Sequence, residues 1–287
     1  MKGVISLTEV SDLKKKALGA LGILPPFSPI LNRLMATLAG ENVSFARLGD
    51  LIEKDTVVAG NLLHLVNSAL YARRGTVNSV RHALSLLGID KTRNAVLGMS
   101  LAKMWSKVSV PRRWSMGQFN MHSAAVAILS DLLAQKLPVV YPEGAFVAGL
   151  FHDLGQLLIA TGIPESYERI ETRDQEQEVL GFGHAELSAA ALEEWNLPEA
   201  IQMAVLYHHN PESDPAARGG AMPLSRIVAA ANQYVNSTGV SIEETGDPAS
   251  DDGEALVRLG LSPEEIESTL REFEAEFDVM TQYFRPS

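Results

Sequence analysis

Over roughly the first hundred residues, apolar positions recur at spacings of three and four, the signature of helices with one buried face, and no strand-like alternation interrupts them. Pro25-Pro26 and Pro29 separate an opening segment from a short helix, Pro29 to Leu38, with Ile30, Leu31, Leu34 and Leu38 on one side. Ser44 suits the cap of the next helix, where Phe45, Leu48, Leu51 and Ile52 form the stripe. Asp55 suits the cap of another, built on Val58, Leu62, Leu63 and Val66, which runs into Asn67-Ser68-Ala69-Leu70-Tyr71. A turn follows at Arg73-Arg74-Gly75. Ser79 opens a helix carrying Val80, Ala83, Leu84 and Leu87, Gly88 is its C-cap, and Asp90 to Trp105 makes one more.

The pattern continues beyond a connection at 106–118. Met121-His122-Ser123 opens a helix with Ala124, Ala125, Ile128, Leu132 and Leu133 facing a core. Pro138 to Pro142 is a loop, and Glu143 starts a helix that carries His152 and Asp153. His184 stands at the entrance to a helix ending near Trp195. Asn196 is placed to cap the next, with Pro198 in its first turn and Glu199 completing a capping box. That helix ends in Tyr207-His208-His209-Asn210-Pro211, and Pro223 to Val235 forms another containing Asn232. In the tail, Asp247 to Gly253 reads as a flexible loop. Ser262-Pro263-Glu264-Glu265 is a helix start whose stripe is Ile266, Leu270, Phe273 and Phe277. The expected fold is therefore all-α, a compact multi-helix bundle in three sections: an N-terminal helical subdomain (1–110), a helical subdomain holding a histidine cluster (111–240) and an acidic helical tail (241–287).

Composition narrows the function. The chain is 46% hydrophobic and 21% charged, ordinary for a globular protein. A net charge of -11 speaks against nucleic acid as a partner, since that needs a basic footprint. With no cysteine, disulfides, thiolate metal sites and cysteine nucleophiles are excluded. No uninterrupted apolar run reaches the ~18–20 residues of a membrane span, so a cytoplasmic protein with no membrane partner is expected.

The chemistry concentrates at Phe151-His152-Asp153-Leu154-Gly155, where a His-Asp pair lies inside an apolar segment. Burying a carboxylate without a partner is expensive, so a cation should lie beside it: a divalent metal, an arginine or a polar core network. His64 and His82 stand alone in helical patterns and read as ordinary helix residues; Arg73 and Arg74 read either as an anion grip or as a solvated turn. Five of the seven histidines, His122, His152, His184, His208 and His209, fall within one later stretch. Neutral imidazole with carboxylate is a common donor set for iron, manganese, zinc or nickel.

Leu24-Pro25-Pro26, Asp50-Leu51-Ile52 with Asp55, Leu62-Leu63 through Asn67-Ser68-Ala69-Leu70-Tyr71, and Ile89 after Leu87-Gly88 together resemble the HDOD family. So do Phe151-His152-Asp153-Leu154-Gly155, His184-Ala185-Glu186 and His208-His209, and the similarity spans roughly 20 to 235. The resemblance implies an all-helical fold related to HD-type phosphohydrolases, in a family mostly regarded as signalling or regulatory modules, often without demonstrated catalysis. It further implies a two-metal arrangement, with His122, His152 and Asp153 on one ion, His184, His208 and His209 on a second, and Asp153 bridging. Such a pair polarises a phosphoryl oxygen and supplies hydroxide at neutral pH.

The sequence departs from that pattern twice. Asn232 stands in the helix where the carboxylate completing the first site is expected, and Gln156 stands where catalytic relatives place a lysine. Loss of an anionic ligand and of a phosphate-binding cation argues against efficient hydrolysis, because stabilising developing charge is usually the largest catalytic term. The favoured expectation is a non-catalytic regulatory module with a degenerate or metal-filled pocket, working through signalling proteins or a small phosphorylated ligand. The alternative is a metal-dependent phosphohydrolase acting on nucleotides or cyclic dinucleotides, with His152 and Asp153 at its centre.

Overall fold

The structure, a computed structural model, describes residues 6–38, 44–68, 70–71, 76–242 and 253–284. Its helices in the first half are α1 (Leu7–Gly19), α2 (Pro29–Leu38), α3 (Phe45–Glu53), α4 (Thr56–Val66) and α5 (Val80–Trp105). Then follow α6 (Met116–Lys136), α7 (Ala145–Phe151), α8 (Leu154–Gly162), α9 (Pro164–Tyr167), α10 (Arg173–Leu180), α11 (His184–Glu194) and α12 (Glu199–Leu206). The last three are α13 (Leu224–Ser237), α14 (Glu254–Val257) and α15 (Pro263–Phe284). The fold is all-α: among the described residues the only β pairing is an isolated bridge between Val139 and Met222.

The local rules explain many of the boundaries. Ser44, Asp55 and Ser79 have extended backbones and accept hydrogen bonds from the first turns of α3, α4 and α5. Helix α5 is interrupted at Gly88 (φ 79°, ψ 173°), so the two expected helices meet there at a bend. Ser262 and Glu265 cap α15 reciprocally, each side chain accepting from the other's backbone N–H.

Other boundaries differ from the sequence expectation. Helix α6 begins at Met116, capped by Ser115, so His122 lies inside it rather than at its opening. Glu143 belongs to a 3₁₀ turn, Pro142–Gly144, and α7 starts after it. The continuous helix expected to carry His152 and Asp153 is two helices: α7 stops at Phe151, and Asp153 (φ -103°, ψ 12°) is the N-cap of α8. Asn196 does not cap α12; its φ is 54°, its amide reaches back to the Glu194 carbonyl, and Pro198 is the N-cap residue. Helix α12 ends at Leu206, which leaves His208 and His209 in the following turn. The Arg73-Arg74 turn lies outside the described residues, as does the loop from Asp247 except its last residue, Gly253.

Helix α6 packs along α7, α13 and α15; α11 packs on α8 and α12. Small residues make two of these approaches close. A Cβ on Gly149 would fall 2.7 Å from the Ala127 Cα, so only glycine lets α7 lie this tightly on α6. Gly155 plays the same part between α8 and the start of α11, and its N–H donates to Ser188 Oγ at 2.7 Å. Helix α1 packs on α8, α10 and α11. Helix α15 lies across α5 and α6, with Phe273 buried. The stretch Pro142–Gly162 is long and apolar enough to cross a membrane by length and composition, but most of it is buried inside the protein.

Candidate metal centre

Five helices or their ends deliver the candidate residues to one point. His122 comes from α6, His152 and Asp153 from the α7–α8 junction, His184 from the first residue of α11, and His208 and His209 from the turn after α12. All six expected residues are brought together, as two sets whose ligand atoms lie within 4.8 Å of one another: Asp153, His184, His208 and His209, and His122, His152 and Asp153. Asp153 belongs to both. Its Oδ2 lies 3.2 Å from His152 Nε2 and 3.5 Å from His122 Nε2; its Oδ1 lies 3.1 Å from His184 Nε2 and 3.6 Å from His208 Nε2. His209 Nε2 is 2.9 Å from His184 Nε2.

The outward nitrogens explain the inward ones. His122 Nδ1 donates to the Val240 carbonyl at 2.7 Å, His152 Nδ1 to Gly149 at 2.8 Å, and His208 Nδ1 to Val205 at 2.6 Å. A carbonyl only accepts, so in each ring Nδ1 carries a proton and Nε2, a lone pair whenever the imidazole is neutral, is the atom turned toward Asp153. His184 differs: its Nδ1 meets both oxygens of Glu176, at 2.9 and 2.8 Å, and its backbone N–H donates to Glu176 Oε2 at 2.7 Å. Glu176 was not singled out in the sequence, where it sits in the polar run Arg173-Asp174-Gln175-Glu176-Gln177-Glu178. A glutamate eight residues before a histidine was the only available signal, and a weak one.

The centre is buried: His122 is 1% exposed, His152 0%, Asp153 4%, His184 2% and His208 2%. His209 is the exposed member. Burial works against the Asp153 carboxylate, but the surrounding His152 and His184 imidazoles outweigh it and hold the group well below the usual carboxylate range. Burial likewise works against a charged His184, and the Glu176 and Asp153 carboxylates overcome it, raising the imidazole to about 10. His208 is pushed down to about 4 by burial, only partly countered by Asp153.

The donors fit a divalent metal. Asp153 Oδ1 and His208 Nε2 are both buried without a hydrogen-bond partner, although Asp153 Oδ1 lies near His184. Buried polar atoms are nearly always paired, so two such atoms facing each other point to a cation between them. The departures stand where the sequence put them. Asn232 is buried on α13, where its Oδ1 accepts from Asn236 Nδ2 at 2.8 Å, and Gln156 lies in the first turn of α8. The lone histidines are peripheral: His64 Nδ1 pairs with the Tyr283 hydroxyl, and His82 is exposed on α5.

A family model for the HDOD domain matches residues 24–211, and the chain belongs to the HDOD family. Among solved structures, an HDOD domain protein with unknown function from Geobacter sulfurreducens superposes with a TM-score of 0.73 at 24% identity, covering 96% of this chain and 98% of that one. A protein from Shewanella amazonensis, named as a candidate phosphohydrolase, superposes at 0.72 with 20% identity over 94% and 98% of the two chains. One from Marinobacter aquaeolei, named as a candidate signal transduction protein, gives 0.69 at 21% identity over 99% of this chain and 67% of that one. At these identities the likeness establishes the fold. An uncharacterized protein of Treponema pallidum is 23% identical over 243 residues, which span 79% of this chain and 45% of the relative.

Proposed function

We propose that this chain is a regulatory HDOD module whose imidazole–carboxylate centre holds a divalent ion without hydrolysing phosphate esters. The observation that carries this reading is the enclosure of the centre. Five of its side chains are 4% exposed or less, and both oxygens of Asp153 are surrounded by histidines. A catalytic metal site keeps a position open to substrate, whereas a closed one serves structure. The neutral Asn232 and Gln156 point the same way, leaving no anion to complete the Oδ2 side and no lysine to hold a phosphate.

The ion, iron, manganese, zinc or nickel, would draw its ligands from among His122, His152, Asp153, His184, His208 and His209. A bound divalent ion supplies Lewis acidity toward phosphoryl oxygen and lowers the pKa of water. The chain's own groups fix the donors: the Gly149, Val205 and Val240 carbonyls orient three rings, and Glu176 orients the fourth. In this reading 111–240 carries the centre, 1–110 receives or passes on a cue, and 241–287 braces the two. The partners are signalling proteins or a small phosphorylated ligand; the half-exposed Phe45 and Val57 at the starts of α3 and α4 support a protein partner.

The second reading, a metal-dependent phosphohydrolase, is favoured by one observation: Asp153 stands between two donor sets, as a bridging carboxylate does. The Shewanella and Marinobacter names divide between the two readings. Turnover of bis(p-nitrophenyl) phosphate and of cyclic dinucleotides, with added manganese or ferrous iron, separates them. No turnover above buffer is expected, and turnover abolished by Asp153→Ala would overturn the proposal.

A further inference from the structure

We infer that this chain holds one ion rather than a pair, bound by Asp153 Oδ1, His184, His208 and His209, with Glu176 as the residue that positions His184. The inference rests on the reading above that the centre takes a metal at all. Three observations separate the two sides of Asp153.

The first is the donor count. The Oδ1 side offers four protein donors, three imidazoles and a carboxylate oxygen, which is a complete tetrahedral shell for a zinc-like cation. The Oδ2 side offers three. The residue expected to complete it is a neutral amide, and the Oδ1 of Asn232 is engaged by Asn236.

The second is where the unsatisfied atoms lie. Asp153 Oδ1 and His208 Nε2, buried and without hydrogen bonds, both face the four-donor side. On the other side Asp153 Oδ2, His122 Nε2 and His152 Nε2 are not among the buried unpartnered atoms.

The third is the support behind the donors. His122, His152 and His208 lean on carbonyls, while His184 leans on a buried carboxylate that grips its ring and its backbone N–H together. An anionic partner fixes the ring and strengthens its Nε2 as a donor, so the best-supported imidazole is also on the four-donor side. His209, the exposed ligand, lies there too and gives an ion a way in.

The test is a titration of the full chain, stripped with a chelator, with Co(II), whose intense visible bands report four-coordinate binding. Saturation at one equivalent is expected. His209→Ala should shift those bands and weaken Co(II) binding, because a water then takes the fourth position; the residue is exposed, so the fold survives its truncation, which circular dichroism checks. Glu176→Gln should weaken Co(II) binding by roughly 10–100-fold at unchanged stoichiometry. Two equivalents in the wild type, or one equivalent whose band positions and affinity His209→Ala leaves unchanged, would overturn the single-ion assignment while leaving the metal reading standing. No Co(II) binding at all would overturn both.

Discussion

Gly155 lies so close to the backbone of His184 that a Cβ built on it would come within 2.0 Å of the His184 carbonyl oxygen. The contact sets where the α8 N-terminus, and Asp153 just before it, sits against the first residue of α11. The obstacle is backbone, which cannot rotate away like a side chain. Gly155→Ala should therefore destabilise the protein by about 1–3 kcal/mol or more, and should misplace His184 relative to Asp153. Urea melts and metal affinity measured on the same variant check both effects; an alanine variant as stable as wild type would contradict the contact.

Asp131 gives a pH prediction away from the histidines. Burial, reinforced by Glu276, raises its carboxyl to about 6, with Arg93, Lys91 and Gln135 countering only in part. A carboxyl raised on folding contributes stability that is complete below its unfolded value of about 3.8 and is lost as pH climbs through about 6. Asp131→Asn, which can keep a bond to Asn94, should then gain about 1–3 kcal/mol over wild type at pH 7.5 and little at pH 4. Paired denaturant melts at the two pH values read the difference.

The attachment of α15 should depend on its apolar face. Lys136–Glu272 (3.0 Å) and Lys91–Glu276 (3.1 Å) join it to α6 and α5, but both pairs are partly solvated. Lys136→Ala is expected to cost under about 1 kcal/mol. Phe273→Ala removes a buried ring and should cost about 3–5 kcal/mol. Thermal denaturation of the two variants ranks them.

Metal binding should appear as stability. A ligand bound only by the folded state contributes RT ln(1 + [L]/Kd), about 2.7 kcal/mol at one hundred times Kd. Zinc at that excess should raise the denaturation midpoint of wild type and leave His208→Ala unmoved.

Much of this molecule could be read from its residues, and the exceptions have physical causes. Helix α2 runs over the proposed residues, and the caps at Ser44, Asp55, Ser79 and Ser262 are local chemistry that needs no tertiary knowledge. The break at His152-Asp153 was hidden because apolar residues continue on both sides of it, so hydrophobicity shows no turn. Asn196 looks like a cap in sequence, but its left-handed backbone belongs to the exit from α11. Glu176 was not singled out because its neighbours in the chain are polar; only the fold shows that it faces inward against His184. The six candidate ligands and the shared place of Asp153 were legible in the sequence, while the support of His184 by Glu176 was not.

The enclosure of the centre has a kinetic side. Exchange through a shell of side chains this covered has to wait for local opening, or pass through the one imidazole that touches solvent. An ion lodged there would leave slowly even where equilibrium favoured its loss, and the history of the protein, more than the free metal around it, would decide what it carries.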